Sequence, residues 1–403
     1  MRYTDVAIVG GGLAGSMAAA MLGRAGIAAI LVDPHPVYPP ELRCEKIGGE
    51  QLELLRKTGL AEPTLRATTL DGEVWEARFG YVVAKKPSDQ HGIMYDTLVN
   101  TVRAQIPPGV ETIFAKASGI ACGDERQKIQ LSGGDEISAR LVVLANGLNI
   151  GLRHLIGVER RVISPCHSIT LGFDVEPVGR AAFRFPALTY WPKRSRERMA
   201  YLTLFPIGGA MRANFMVYRD MTDPWFQQFR EAPEQTMCAM MPGLERMMGE
   251  FRVRGPVKIR PADLYVTEGH LQPGVVLVGD AFSTSCPAAG TGTTKVFTDV
   301  GRLCNVYIPA WLSTNGMDAQ KISQFYNDPE KAECEARCRS KAYHLRALSI
   351  DNGIAWRGRR WARFLARLAH GTAHAIRRRL LDRSTAPHHA AGSAGQPQHG
   401  RPA

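Results

Sequence analysis

The sequence predicts an α/β protein. A doubly wound parallel-sheet domain is assembled from separate stretches of chain, an antiparallel β-sheet domain is inserted into it, and a helical segment follows. Three observations carry this. Asp5-Val6-Ala7-Ile8-Val9 is a short apolar run followed at once by three glycines and then by helical periodicity from Leu13 to Ala25. From about 163 to 218 apolar and polar residues alternate, as in Tyr201-Leu202-Thr203-Leu204-Phe205, which is the period of an antiparallel strand. Around 275 the unbroken run Val275-Val276-Leu277-Val278 restores the first texture, and such runs suit strands buried on both faces.

In chain order, a second apolar run, Ala28 to Val32, ends at Asp33 and is stopped by Pro34 and Pro36, completing a strand–turn–helix–strand unit. Helices are predicted at 48–57 and 93–105, and strands at 73–77, 117–121, 128–132 and 139–145. Residues 233–249 read as one methionine-rich helix, its methionines filling a core or lining a plastic pocket, and a long helix starts near 290. The expected organisation is 1–72, 93–160 and 262–312 for the doubly wound domain, and 73–92 with 161–261 for the inserted sheet. A helical region follows at 313–383, and 384–403, rich in Ala, Gly, Pro and His, is expected to be a disordered tail.

Composition excludes several classes. The 403 residues are 45% apolar and 22% charged, ordinary globular usage that rules out a disordered or collagen-like chain. No run of about 18 uncharged apolar residues occurs, so no membrane-spanning helix is expected. Residues 4–9 read as a buried strand and leave no room for a secretory leader, so a cytoplasmic protein is expected. Of the net charge of +12, residues 356–383 hold +8, with nine arginines and one aspartate. The body is therefore not the basic surface of a nucleic-acid binder, and a small-molecule substrate is expected instead. The eight cysteines show no Cys-x-x-Cys and no neighbouring histidine pairs, so neither a disulfide scaffold nor a metal site is expected. His35, His154, His167 and His270 are isolated and read as satisfied histidines rather than bases.

Gly10-Gly11-Gly12-Leu13-Ala14-Gly15 fits G-x-G-x-x-G between a strand and a helix. Gly10 permits the tight turn, Gly12 lets a pyrophosphate approach the backbone, and Gly15 lets helix and strand pack closely. The first-turn N–H groups, from Leu13 and Ala14 onward, and the helix dipole then receive phosphate. Asp33, at the end of the second strand, is placed to accept hydrogen bonds from ribose hydroxyls and disfavours a 2′-phosphate, so the ligand is FAD or NAD rather than NADP.

The segment Gly279-Asp280-Ala281, then Cys286-Pro287-Ala288-Ala289-Gly290-Thr291-Gly292-Thr293-Thr294, then a helix containing Asp299, decides between them. Here the chain resembles the para-hydroxybenzoate hydroxylase-like FAD monooxygenases, whose pattern is Gly-Asp-Ala, Pro-x-x-Gly-x-Gly and a later aspartate. The Asp280 carboxylate can bind a ribitol hydroxyl, and a glycine turn at a helix N-terminus offers N–H groups to the flavin N1/C2=O edge. The resemblance implies that Pro287, Gly290, Gly292 and Thr293 border the isoalloxazine, that Arg43 contacts the FAD phosphates, and that Asn146 and Gly147, followed by Arg153, stand where the family has Asp-Gly and an arginine. Asn146 replaces that aspartate, Ser283 a common histidine, Thr294 a common asparagine and Tyr95 a common arginine. Cys286 is the one thiol placed to act in the flavin-facing segment, Lys295 is expected at the phosphates or in solvent, and Asp299 is expected to support packing only. Tyr190, Tyr201 and Arg212 on the inserted sheet are the candidate substrate residues, and no catalytic residue is assigned.

The resemblance implies non-covalent FAD, reduction by NAD(P)H, and hydroxylation or epoxidation of an aromatic or other electron-rich, apolar small molecule. Three readings stay open beside it: an FAD reductase or dehydrogenase of an unsaturated, isoprenoid-like lipid, a flavin halogenase, and a membrane-docked electron-relay flavoprotein. Halogenases carry a Trp-x-Trp-x-Ile-Pro signature, of which only Trp191-Pro192 occurs here. The basic stretch places Arg360, Arg363 and Arg367 on one helical face and Trp361, Phe364, Leu365 and Leu368 on the other. Either the apolar face packs on the body and the arginines are solvated, or residues 356–383 form a peripheral contact with an anionic membrane or a partner.

Overall fold

In the computed structural model residues 1–384 are described, and the expectation for the tail past Ser384 lies outside them. The first layer is a seven-stranded sheet built around Glu136–Leu144. On one side this strand pairs in parallel with Arg2–Val9, which leads on to Ala29–Val32 and Glu111–Ile113. On its other side it holds two neighbours end to end. Residues 136–139 pair antiparallel with Gln127–Leu131, whereas 142–144 pair in parallel with Val275–Leu277. The strand from the late part of the chain thus sits beside the central strand of the early part. Val6, Ile8, Leu141 and Val143 pack on helices Leu13–Arg24, Tyr95–Arg103 and Gly292–Arg302, while Ala7, Val9, Val142 and Leu144 pack on the opposite side with Ile129 and Leu131. Burial on both faces is what gives these strands their unbroken apolar runs.

The second layer is a seven-stranded sheet ordered Phe251–Glu268, Glu159–Pro177, Ala210–Val217, Met199–Ile207, Ala187–Tyr190, Glu73–Arg78 and Tyr81–Pro87. It is antiparallel except where Ala187–Tyr190 runs parallel to Glu73–Arg78. Its two outer long strands pair from Glu159 opposite Glu268 to Pro177 opposite Phe251. The divisions expected at 160/161 and 261/262 therefore fall inside strands and not in loops.

One face of this sheet carries Ile169, Leu171, Phe173, Leu202, Leu204 and Phe215, covered by helices Trp225–Glu231, Pro233–Met240 and Leu244–Met248. The single helix expected over 233–249 is thus two. Pro242 lacks the N–H needed to continue, and Gly243 turns the chain at φ +87°. Met237, Met241, Met247 and Met248 are all buried in this core, so the methionines fill it and line no open pocket.

The helix from Gly292 continues through Leu303–Tyr307 to Ile308–Leu312, and Pro329–Ile350 and Ile354–Ser384 follow. No helix among the described residues is long and apolar enough to cross a membrane. The last helix lies on strand Tyr81–Pro87, so close that a Cβ on Gly371 would stand 2.3 Å from the Val83 carbonyl oxygen. Its two expected faces are not kept apart. Trp361, Leu365 and Leu368 are 55%, 57% and 41% exposed, whereas Phe364 packs on the body with half-buried Arg360 and Arg367, and Arg363 is exposed at the rim. The sheet edge selects the guanidinium groups: Arg367 stacks 3.7 Å from the Trp191 ring centroid and faces Glu76, and Arg78 lies over the Phe364 ring.

Candidate FAD and substrate site

The three motif glycines do different work. Gly10 adopts φ +105°, and a Cβ there would lie 2.6 Å from the Ala145 carbonyl oxygen. A Cβ on Gly15 would stand 1.8 Å from the Gly10 carbonyl oxygen, so both positions are closed to any side chain. Gly12 is different: the nearest atom to its virtual Cβ is Tyr38 at 3.9 Å. Gly12 caps helix Leu13–Arg24 without a side-chain hydrogen bond, so open space lies before the first-turn amides at the helix's positive end.

Asp33 is buried beside this turn. Its Oδ2 accepts the Gly11 N–H at 2.7 Å, and its Oδ1 accepts from the His35 N–H and from Arg103, both at 2.9 Å. Arg103 also donates through Nε to the Gly11 carbonyl at 2.9 Å. Arg103 was not legible as a site residue, because it ends a helix 92 residues from the turn and belongs to no motif.

The second half of the surface brings Arg43, Gly147 and Asp280 together. Arg43 donates to Asp280 at 2.6 Å and pairs with Glu41 at 2.8 Å, while Arg260 reaches the other Glu41 oxygen at 2.7 Å. Burial works to lower the Arg43 pKa, but Asp280 and Glu41 beside it hold it above its usual value. Burial likewise opposes Glu41 ionisation, and Arg43, Tyr38 and Arg260 overcome it, pulling its pKa down to about 2. Gly147 has φ +57°, and its virtual Cβ would lie 4.0 Å from an Arg43 nitrogen. Buried Arg153 donates to the Ala281 carbonyl at 2.5 Å and to the Gly147 carbonyl at 3.3 Å, tying this loop to the Asp280 segment. The Tyr265 hydroxyl donates to the Asp280 carbonyl.

Pro287–Ala289 forms one helical turn, Gly290 reverses the chain at φ +65°, and the helix Gly292–Arg302 begins, with Thr293 buried in its first turn. Nothing lies within 4 Å of a virtual Cβ on Gly290 or Gly292. The turn is held by Gln51, which donates to the Gly290 carbonyl at 2.9 Å, and by the Tyr201 hydroxyl, which donates to the Ala288 carbonyl. Two buried oxygens here lack a hydrogen-bond partner, Asn146 Oδ1 and Thr291 Oγ1. Open glycine cradles at Gly12, Gly290 and Gly292, with orphaned acceptors between them, fit a long phosphate-bearing cofactor with a planar head.

Two expectations for this segment need correction, those for Lys295 and Asp299, while Cys286 is the buried free thiol that the cysteine pattern favours over a chemical role. Lys295 is not in solvent: it is buried and donates to the Ser283 carbonyl at 2.6 Å. Cys286 is buried against Ser168 at 3.4 Å, and burial pushes its thiol up, so the unreactive protonated form prevails. Asp299 does more than support packing. Its Oδ2 accepts the Gly279 N–H at 3.1 Å, and its Oδ1 pairs with Lys331 at 2.9 Å, both side chains being 1% exposed.

Facing this turn is the polar side of the second sheet. Tyr201 lies on it, as do the buried Thr170, Thr203 and Asn214. Arg212 is also there, but paired, with Asp174 at 3.3 Å and buried Glu45 at 3.5 Å. Burial raises the Glu45 pKa against the pull of Arg212. Tyr190 does not belong to this face. It is packed in the methionine core on the other side, its hydroxyl donating to the Pro242 carbonyl at 2.8 Å and accepting the Gly80 N–H at 2.9 Å. Period-two alternation explains the miss: Tyr190 pairs with Leu202, whose side chain points the same way.

Residues 3–307 match a family model described as an FAD binding domain. The chain is 26% identical to the 3-demethoxyubiquinol 3-hydroxylase of Escherichia coli over 76% of this chain and 80% of that protein. It is 24% identical to the 6-hydroxynicotinate 3-monooxygenase of Bordetella bronchiseptica over 49% of this chain and 54% of that protein. Among solved structures, the p-nitrophenol 4-monooxygenase PnpA from Pseudomonas putida superposes with a TM-score of 0.73 at 16% identity, covering 95% of this chain and 98% of that one. Flavin-dependent brominase Bmp2 superposes at 0.65 and 15% identity over 81% and 83% of the two chains. With the glycine turn, the Asp280 segment and this match over most of the chain in hand, the protein belongs to the para-hydroxybenzoate hydroxylase-like family of FAD-dependent monooxygenases.

Proposed function

We propose that the protein uses NAD(P)H and O2 to hydroxylate an aromatic, electron-rich small molecule bound between the Pro287–Thr293 turn and the polar face of the inserted sheet. The observation that carries this is the Tyr201–Ala288 hydrogen bond, which joins the sheet face to the flavin-type turn and leaves Thr170, Thr203 and Asn214 on the same side. Bound FAD, once reduced, supplies the activation of O2. The chain supplies the rest. Gly12 and the amides of the first helix would hold the phosphates, Asp33 the ribose and Asp280 the ribitol. The N-terminus of helix Gly292–Arg302 would stabilise negative charge on the reduced ring. The apolar walls around Cys286 and Ala288 keep water out. Names of relatives support a ring substrate: one is a hydroxylase of demethoxyubiquinol and another a monooxygenase of hydroxynicotinate.

The test is a panel of phenolic and quinol compounds scored for stimulated NAD(P)H oxidation and oxygen uptake. A reductase of unsaturated lipids would oxidise NAD(P)H without taking up oxygen, and that result would replace this reading.

For location, the reading is a soluble body that docks on an anionic membrane surface. Supporting it are the outward stripe of Trp361, Leu365 and Leu368 and the exposed Arg357 and Arg359 on the same helix. Aromatic and leucine burial together with arginine attraction is the physics of an interfacial helix.

A further inference from the structure

The terminal helix borders a cleft whose floor adjoins, through Ala200 and Leu345, the apolar cluster around the flavin-type turn. Its floor is apolar: Trp191 and Ala200 from the sheet, Leu345 and Leu348 from helix Pro329–Ile350, and Phe364 from the terminal helix. Its rim is not. Arg78, Arg360, Arg363 and Arg367 all line it, and no acidic residue does.

The charge there is only partly compensated: Glu76 faces Arg367, while Glu197 and Asp351 act on Arg78 and Arg360 from outside the cleft. Arg367 Nε faces the Oε2 of Glu76 at 3.5 Å, and Glu76 divides its charge with Lys86, which holds its other oxygen at 2.9 Å. Arg78 spends its donors on the Pro192 and Lys193 carbonyls, and Arg360 on those of Leu348 and Asp351. Arg363 has no hydrogen-bond or ion-pair partner among the described residues. Burial, with Arg363 and Arg78 alongside and against the pull of Glu76, pushes the Arg367 guanidinium down to about 10. On the floor, the Trp191 Nε1–H is buried and unpaired. Guanidinium groups massed around an apolar, aromatic floor are in need of an anion that also carries a flat hydrophobic body.

We propose that this cleft binds an amphipathic aromatic anion, its ring system on the apolar floor of Ala200, Leu345 and Leu348 and its carboxylate or sulfonate on Arg363 and Arg367. The site stands on the helix that was expected to pack on the body or to contact a membrane or partner.

A matched pair of probes tests it on the flavin-loaded protein: 1-anilinonaphthalene-8-sulfonate and N-phenyl-1-naphthylamine, the same ring system with and without its anion. In the Arg363→Met/Arg367→Met double variant the affinity for the sulfonate should fall at least tenfold, while the neutral probe should bind within twofold of wild type. Arg357→Met, an exposed arginine on the same helix, should change neither. Unchanged sulfonate binding in the double variant overturns the proposal. If both probes are lost together, the Arg363→Lys/Arg367→Lys variant decides: sulfonate binding retained there supports the site, and its loss overturns it. Flavin absorbance recorded for each variant separates failure here from failure of the cofactor site.

Discussion

Arg43 and Asp280 lie 237 residues apart in the chain and 2.6 Å apart in space. Their ion pair closes the cofactor surface, joining the loop after the first βα unit to the end of the strand Val275–Leu277. Around it the Tyr265 hydroxyl and Arg153 fix the backbone of residues 280 and 281. Asp280 and Asp299 therefore have different tasks, and different measurements separate them.

Asp280→Ala should give a folded protein with weak flavin binding, through loss of a half-buried hydrogen-bonding partner worth about 1–3 kcal/mol. Asp299→Ala should instead lower stability by about 1–3 kcal/mol, because it leaves the buried Gly279 N–H without its acceptor and buried Lys331 with Glu335 as its remaining carboxylate. Thermal melts and flavin occupancy measured on both variants check this. A normal Tm for Asp299→Ala, or full flavin occupancy in Asp280→Ala, would contradict it.

Gly12 and Gly15 should part in the same manner. An alanine at 12 enters open space, so Gly12→Ala should melt near wild type yet lose at least tenfold in FAD affinity, about 1.4 kcal/mol. Gly15→Ala would drive a methyl group into the Gly10 carbonyl, and the expected outcome is little folded protein. Equal melting temperatures for the two variants would refute the division of roles.

Glu41 makes the site sensitive to acid. Its folded pKa is depressed from an ordinary 4.5 to about 2, so ionised Glu41 stabilises the fold above about 4.5. That stability is lost as pH falls through the window from about 4.5 to 2. Flavin release on acidification, followed by fluorescence, should begin in this window and should come at higher pH in Glu41→Gln. Coincident release curves would show that Glu41 plays no part.

Much of the cofactor half was written in short, local patterns. Strand, glycines, helix and Asp33 fall within one βα unit, and each has one physical use there. What escaped was the partner drawn from another part of the chain. Arg103 and Lys331 carry no motif, and only the folded chain brings them to Asp33 and Asp299. The substrate face was harder to read, because alternation says that a strand has two faces but not which one meets the cofactor. Tyr201 and Tyr190 have the same chemistry and end on opposite sides. The terminal helix was misjudged for a related reason. Apolar residues were assigned to the body by default, whereas the surface awaiting the helix offered Glu76 and aromatic rings, and took Arg367 along with Phe364.

The outward stripe of that helix should be its contact with lipid. Binding to anionic vesicles is expected at low salt, weakening as salt rises, and lost in the Trp361→Ser/Leu365→Ser variant, whose exposed substitutions leave the fold intact. Sedimentation with vesicles checks this, and indifference of the wild type to anionic vesicles at low salt would remove the docking proposal.

The central claim is that oxygen from O2 enters an aromatic product. Once a compound that stimulates NAD(P)H oxidation is found, the decisive measurement is mass spectrometry of its product formed under 18O2. The account predicts one 18O atom in the product for each NAD(P)H consumed. A product that forms at the same rate without oxygen, or that carries no label, would contradict it.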